Sequence, residues 1–446
     1  MTRLSDRRER EVAVRFLTRL THHVQDMVPP GREGLVWWLT LLASVGVTSI
    51  IPLLPLYAAD RGADLQVISG MAAAYLVTNL VVLYGAGRLS DWWGRRPMMT
   101  LGLVTYAGCS VGFMIWPTPL GFVLLRGIEG IGAACFLPAA LAYVADRYPV
   151  AQRGLRISQL AIAENLGLLL GPAFGGALKT LLGMNALFVS LTVLCAAGAA
   201  MVWRLPGGRA APTSVVPGEA DGQPLKGDGP SEQPTEWAIS SSEAIRGWGA
   251  VRWPLFAGIS ARAASAGFAF GLYLTVWPLF LRKMGASDWD VALSWTLFAV
   301  PALIIGSYAG RLIDRSGPGR PAVLGALFSG GVVISYAYVG DVRLVLALCM
   351  LEGVGFAFSY PAANTLMVQA APETMRGRII GLVTAIRTLG TLAGTLATPW
   401  LYAHSVPSTF WATSCVAFLG AAGLALGLFW ERRSAPSSPR QPSQAA

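Results

Sequence analysis

Long apolar runs recur along the chain from residue 35 to residue 431, each bounded by short clusters of arginine, aspartate, glycine or proline. A helix needs about 20 apolar residues to cross the hydrocarbon core of a bilayer. Read on that length, the pattern predicts twelve crossing helices near 35–57, 66–87, 97–116, 118–145, 156–182, 185–204, 253–281, 288–312, 321–340, 342–369, 378–403 and 409–431. Three stretches break the pattern. Residues 1–34 are polar and arginine-rich, yet Val12, Phe16, Leu20, Val24 and Met27 recur at helical spacing; this predicts either an amphipathic helix on an anionic membrane surface or a partly ordered tail. Residues 205–250 hold six prolines with glycines, serines and an excess of acids, and read as a flexible linker. Trp237, Trp248 and Trp253 near its end mark the membrane interface. Residues 432–446 read as a disordered tail.

Composition narrows the class. Only 13% of the 446 residues are charged and 54% are hydrophobic, against about 25% charged in a soluble domain, which excludes a soluble enzyme. The net charge of +10 would suit nucleic acid, but no basic stripe with interleaved aromatics exists, so no nucleic-acid partner is expected. Three histidines and five scattered cysteines predict neither a metal site nor a disulfide framework. The cysteines read as inert core residues. No phosphate-binding G-x-x-x-x-G-K-[ST] run is present, so the chain itself does not draw on ATP.

The placement of charge sets an orientation. With both termini cytoplasmic, the cytoplasmic segments hold 26 of the 34 Lys and Arg residues. The other side holds Arg61, Lys179, Arg282, Lys283 and Arg343, and only Arg126, Arg262 and Arg387 fall within spans. Short loops rich in Lys and Arg stay inside, and no secretory leader pattern precedes the first span. The expected location is a bacterial inner membrane.

The two halves repeat at an offset of 223 residues. Pro55, Gly62, Gly87, Asp91, Gly94, Glu129, Gly130, Gly132, Pro138, Arg153, Gly154 and Gly167 fall on Pro278, Gly285, Gly310, Asp314, Gly317, Glu352, Gly353, Gly355, Pro361, Arg376, Gly377 and Gly390. Copies with an even number of spans share orientation, so their symmetry axis runs along the membrane normal. The predicted fold is therefore an all-α membrane protein: residues 35–204 and 251–431 form two pseudo-symmetric six-helix bundles joined by the linker.

After span 2 the chain reads Gly87-Arg88-Leu89-Ser90-Asp91-Trp92-Trp93-Gly94-Arg95-Arg96-Pro97, and span 8 ends with an echo, Gly310-Arg311-Leu312-Ile313-Asp314-Arg315-Ser316-Gly317, followed by Arg320. This resembles the G-x-L-x-D-x-x-G-R-R signature of the major facilitator superfamily, and the likeness covers nearly the whole chain outside its linker and ends. In that family the motif latches the two halves on the cytoplasmic side; in any multispanning protein such a loop also serves as a topogenic signal. Span 4 carries Arg126-Gly127-Ile128-Glu129-Gly130-Ile131-Gly132-Ala133-Ala134, similar to the R-x-x-x-G-x-G-A-A element of drug–proton antiporters, with Glu129 where glutamine is more usual. Span 5 continues Gly167-Leu168-Leu169-Leu170-Gly171-Pro172-Ala173-Phe174-Gly175-Gly176, which resembles the exporter-associated G-x-x-x-G-P-x-x-G-G. The second half keeps only Gly390 and Gly394 of it, and the bland alternative is small-residue helix packing.

An ionised side chain at mid-bilayer costs about 2.5–3.5 kcal/mol on insertion scales, so each intramembrane charge needs a reason. Glu129 lies three residues after Arg126, so the pair can meet on one helix face, either as a proton-transfer couple or as a permanent ion pair. Glu352 repeats Glu129, but Cys349 stands where the arginine would be. The two carboxylates are proton carriers, anchors for a cationic substrate, or partners of cavity arginines. Glu164 and Arg387 occupy equivalent positions with opposite charges, each engaging the opposite half or a local partner. Arg262 suits an anionic substrate group or a carboxylate such as Glu352. Tyr75, Asn79, Tyr273, Trp277, Trp295, Tyr360 and Asn364 complete the expected cavity lining, since aromatic and amide groups suit an organic ligand.

These readings converge on proton-driven export of amphipathic, drug-like organic compounds by alternating access, by a monomer in contact with membrane lipids. Arg126 and Glu129 carry the proton step, Glu352 and Glu164 assist, and the motif residues switch conformation. No catalytic residue, metal or cofactor is expected. A proton-coupled importer, a lipid or glycolipid transporter and a membrane sensor are the alternatives.

Overall fold

The computed structural model describes residues 34–205, 251–372 and 375–434. The arm predicted over residues 1–33, residues 206–250 of the linker and the tail from residue 435 lie outside the described residues, while residues 432–434, expected in the tail, extend the last helix. Among the described residues, twelve helices are long and apolar enough to cross a membrane. We number them α1 (Gly34–Ile50, continued after a turn by Leu54–Ala59), α2 (Leu65–Trp93), α3 (Arg95–Ile115), α4 (Pro119–Arg147), α5 (Val150–Leu182), α6 (Met184–Val202), α7 (Trp253–Lys283), α8 (Asp288–Ser316), α9 (Gly319–Ser335), α10 (Val342–Gln369), α11 (Arg376–His404) and α12 (Val406–Ser434).

Several helices overrun their apolar stretches. The motif residues Gly87–Trp93, expected in a loop, form the last two turns of α2, and the link to α3 is Gly94 alone. Gly310–Ser316 likewise end α8. The reason is local. Only a residue without Cβ takes positive φ at no steric cost, and Gly94 and Gly317 sit at φ 102° and 77°. The helix therefore runs on until a glycine lets the chain reverse.

The repeat seen in the sequence is a repeat of such stops and starts. Gly62 and Gly285, like Gly94 and Gly317, are offset mates with positive φ. Asp64 and Ser287 cap α2 and α8 by accepting a backbone N–H, and Thr118 and Asp341 do the same for α4 and α10. Each capping side chain satisfies a donor that the first turn of a helix leaves unpaired.

Close helix approaches assemble each half. A Cβ on Gly130 would collide with the Tyr75 carbonyl of α2, and one on its mate Gly353 with the Phe298 carbonyl of α8. Gly167, Gly171 and Gly175 put α5 against Ser44, Thr48 and Ser49 of α1, and Thr48 Oγ1 donates to the Gly167 carbonyl at 2.7 Å. Gly390 and Gly394 bring α11 onto Ala264 and Phe268 of α7 in the same way. Helices α1–α6 share one apolar core, which Ala292 of α8 joins, and α7–α12 hold two more, one of which takes in Leu56 of α1.

Between the halves, α5 packs on α8 and α2 on α11. These contacts gather at the arginine-poor end, which holds Ala59, Leu182, Lys283 and His404. There Ser69 Oγ donates to the Thr395 carbonyl (2.7 Å), Thr296 Oγ1 to the Leu169 carbonyl (3.1 Å), and Gly176 abuts Trp289 and Ala292. At the arginine-rich end, the described ion pairs Asp91–Arg95, Arg95–Asp146 and Arg252–Glu431 each stay within one half. A Cβ on Gly85 or Gly87 of α2, Gly154 of α5, Gly306 or Gly310 of α8, or Gly377 or Gly381 of α11 would meet no other atom there. Among the described residues the halves are thus shut together at one end and stand apart along these faces at the other.

Candidate functional site

Glu129 and Glu352 occupy matching depths in α4 and α10 and are neutralised by different chemistry. In α4, Arg126 Nη1 donates to Glu129 Oε2 at 2.6 Å, and the carboxylate is 1% exposed. The Arg126 guanidinium lies over the Tyr75 ring at 4.5 Å. In α10, where Cys349 replaces the arginine, Glu352 has no cationic partner among the described residues. Tyr273 Oη of α7 donates to both its oxygens at 2.7 Å, and Tyr336 Oη, just past α9, donates to Oε2 at 2.8 Å. Glu352 is 5% exposed. Burying a carboxylate requires either an opposite charge or several hydrogen bonds; the two halves use one solution each. Both carboxylates point into the core of their own half, so neither is placed to anchor a cationic substrate in this conformation.

Tyr336 was not legible as a site residue. Its repeat mate is Phe113, and the signal was there: a hydroxyl appears where the mate has none, beside a missing arginine.

Several expected cavity residues are structural. Trp277 is 1% exposed, donates to Ser294 Oγ (3.0 Å) and packs edge-on against Tyr336, so it belongs to the core rather than the cavity wall. Asn79 Nδ2 donates to the Gly130 carbonyl at 3.3 Å and ties α2 to α4. Tyr273 and Trp295 are partly buried, while Tyr360 and Asn364 are exposed. Tyr360 stacks on Phe356, which continues to Phe298, Tyr273, Trp295 and Phe270 as one aromatic chain across α7, α8 and α10.

Arg262 does not reach Glu352. Its Nη2 donates to Ser359 Oγ at 2.9 Å, and its Nε is buried without an acceptor. Arg387, exposed on α11, is the charge that acts on Glu164 of α5, also exposed, across the cleft between the halves. No hydrogen bond or ion pair joins the two among the described residues.

The motif residues separate by role. Asp91 pairs with Arg95 at 2.6 Å, and Arg95 Nε reaches Asp146 of α4 at 2.9 Å while its Nη1 meets Ser90. This ties the α2–α3 turn to the end of α4 and leaves the other half untouched. Arg96 keeps a buried Nε without acceptor. The echo in the second half keeps its glycines, but Asp314 and Arg320 form no described ion pair and both are exposed. In the span 5 element, Gly167, Gly171 and Gly175 pack on α1, Pro172 is buried, and Gly176 and the Leu169 carbonyl reach the other half.

A charged cluster at the arginine-poor end escaped the sequence reading. Arg282 of α7 pairs with Asp60 at the end of α1 and with Asp288 at the start of α8 (3.0 Å to Asp288), and Lys179 Nζ of α5 lies 3.0 Å from the same Asp288 oxygen. The chain Asp60–Arg282–Asp288–Lys179 thus crosses between the halves twice.

Comparison with known proteins agrees with this architecture. A model of the Major Facilitator Superfamily matches residues 36–395 and 259–445. The staphyloferrin B transporter of Staphylococcus aureus is 23% identical over 86% of this chain and 89% of its own length. The multidrug resistance protein MdtG of Proteus mirabilis is 27% identical over 86% and 92%. Among solved structures, a bacterial homologue of the human lysosomal transporter Spinster, described as inward-facing and unoccupied, superposes with TM-score 0.68 at 14% identity, covering 91% of this chain and 98% of that one. With twelve helices in two repeated halves and a family match spanning nearly all of them, the chain belongs to the major facilitator superfamily, a family of membrane transporters rather than enzymes.

Proposed function

We propose that the protein exports amphipathic organic compounds in exchange for protons, with Glu352 as the proton site. The observation that carries this is the setting of Glu352: a buried carboxyl held by two tyrosine hydroxyls and no cation. Hydroxyl groups can donate to a carboxylate or accept from a carboxylic acid, so this site accommodates either protonation state with a rotation of hydrogens. Glu129 faces a fixed guanidinium at 2.6 Å, and its protonation would leave Arg126 buried without a counter-charge. The weight of coupling therefore moves from Glu129 to Glu352, and Arg126–Glu129 becomes its neutralised counterpart.

Taking the arginine-rich end as cytoplasmic, the cleft opens inward. Glu352 releases its proton and a compound enters in this state. Rocking of the halves then closes the arginine-rich end and opens the other, where the compound leaves and the carboxylate is reprotonated. Relatives named as multidrug resistance proteins support export of drug-like compounds, and one named for a siderophore shows how wide the substrate range of such relatives is.

The test uses proteoliposomes with a trapped pH dye and a panel of lipophilic cations, neutral compounds and anions. Wild type should move protons opposite to a transported compound. Glu352→Gln should keep compound exchange without proton movement. Proton-coupled flux unchanged in Glu352→Gln would refute the assignment.

A further inference from the structure

Two guanidinium groups of the second half, on Arg262 and Arg387, form no ion pair with a carboxylate among the described residues. Arg262 has five N–H donors and uses one of them, on Ser359 Oγ. Arg387 makes no side-chain hydrogen bond or ion pair among the described residues. Their depth is the same. Gly390 sits against Ala264 and Gly394 against Phe268, while Gly267 sits against the Arg387 carbonyl, so the register of α7 on α11 sets Arg262 level with residues 386–388. Glu352, the carboxylate of this half, lies two turns further along α10 and is held by Tyr273 and Tyr336. Glu164 faces Arg387 from the other half without pairing. With Glu164 set against Arg387, Arg262 is left without a counter-charge among the described residues, and a partly buried guanidinium in that position is costly.

The aromatic chain ends at the same level of α10 as Ser359. Ser359, which receives Arg262, is flanked on α10 by Tyr360, and Tyr360 stacks on Phe356 at 5.0 Å, which continues to Phe298 at 5.1 Å. Tyr360 is 44% exposed. A cationic ledge thus borders an apolar wall.

We infer that the cleft binds amphipathic organic anions, with the acidic group of the substrate, a carboxylate, held between Arg262 and Arg387 and its apolar body laid along Phe356 and Tyr360. The guanidinium forks match a carboxylate's two oxygens. This rests on the transport reading above, in that it takes the cleft for the substrate site, and it names the substrate class of that site.

The test is binding to the full chain in lipid nanodiscs, measured by equilibrium dialysis after subtraction of empty discs. The probes are 4-pentylbenzoate, the uncharged 4-pentylbenzamide, and acetate as a competitor that has the charge without the apolar body. Wild type should bind the benzoate at least tenfold more tightly than the benzamide, and acetate should compete only weakly. Arg262→Gln and Arg387→Gln should each lose most of that preference while binding the benzamide as wild type does, which shows the variants folded. Arg262→Lys should retain part of it. Equal affinity for the two probes, no binding of the benzoate, a preference unchanged in both Gln variants, or acetate competing as strongly as the benzoate would each overturn the inference. Proton movement in proteoliposomes is scored separately. Proton-coupled export of a neutral compound without benzoate preference sinks the inference and leaves the export reading standing; benzoate binding through Arg262 without proton movement does the reverse.

Discussion

Neutralising Lys179 and Arg282 together should open the end of the molecule that is shut in this structure. These two residues make the ionic contacts that cross between the halves there, Arg282 to Asp60 and Lys179 to Asp288 at 3.0 Å, and Arg282 also reaches the Leu56 carbonyl at 3.4 Å. The side chains are partly exposed, 33% and 51% for the first pair and 10% and 30% for the second, so water and salt screen them. Such pairs are worth about 0.2–1 kcal/mol each. Lys179 Nζ makes an ion pair rather than a directed hydrogen bond with Asp288, which argues for the lower figure at that site. Together the substitutions remove about 0.4–1.2 kcal/mol from the closed end. Since 1.4 kcal/mol is tenfold, the ratio of open to closed should rise by roughly 2–7-fold. The helix start at α8 should survive, because Ser287 and Asp290 form a capping box independent of Lys179 and Arg282.

The assay is electron–electron distance measurement between spin labels at Leu181→Cys on α5 and Leu344→Cys on α10, both exposed. Cys415 is the exposed cysteine and would be replaced by serine; the other four are buried. The Lys179→Gln/Arg282→Gln protein should show a new long-distance population at low salt, and raising salt should produce part of the same shift in the parent. Identical distance distributions in parent and double variant at low salt would refute the reasoning and leave the Gly176, Ser69 and Thr296 contacts as what holds the end shut.

Three further outcomes follow from the same geometry. Arg126→Leu strands a buried carboxylate, which typically costs about 3–5 kcal/mol; its melting temperature should drop sharply and recover in Arg126→Leu/Glu129→Gln, and equal losses in both would mean the pair is not the stabilising unit. Gly130→Ala drives a methyl into the Tyr75 carbonyl and should lower thermal stability, whereas Gly87→Ala meets open space and should melt like wild type yet slow transport, because the face it widens must approach the other half when the arginine-rich end closes; equal melting of the two proteins would contradict the first claim, and an undiminished rate in Gly87→Ala the second. Glu164→Arg and Arg387→Glu should each impair transport, and the exchange of both should restore a good part of it, with additive losses counting against contact between them in the other conformation.

Much of the fold could be read in advance. Twelve apolar stretches predicted twelve helices, and the matches at 223 residues predicted two equivalent halves. Both hold because a bilayer admits only segments whose backbone bonds close internally over a fixed length. The predicted ends failed where hydropathy and helix stability part company: α2 continues through Arg88 and Asp91 because a charged helix end in the interface costs little, and Gly94 alone decides the stop. The site was legible in part. Arg126 and Glu129 could be paired from their spacing, since i and i+3 on one helix share a face. Partners from different helices could not. Tyr336 reaches Glu352 from the turn just past α9, Ser359 receives Arg262 from α10, and Trp277, which resembles a cavity aromatic in sequence, turns its ring into the core.

The amino-acid sequence by itself determined the number of crossings, the equivalence of the halves, the helix caps and reversals at Asp64, Ser287, Gly94 and Gly317, and the one ion pair made within a single turn. Each is set by a local rule, of length, of capping, or of permitted φ, that acts on residues near one another in the chain. Only the tertiary structure decided that Glu352 is held by hydroxyls, that Arg262 bonds Ser359 rather than a carboxylate, and that Asp60, Arg282, Asp288 and Lys179 bind one half to the other. Those outcomes depend on how far each helix is rotated and slid against its neighbours. That placement is set by glycine contacts such as Gly130 on Tyr75 and Gly390 on Ala264, between positions tens to more than a hundred residues apart, where no local periodicity carries the information.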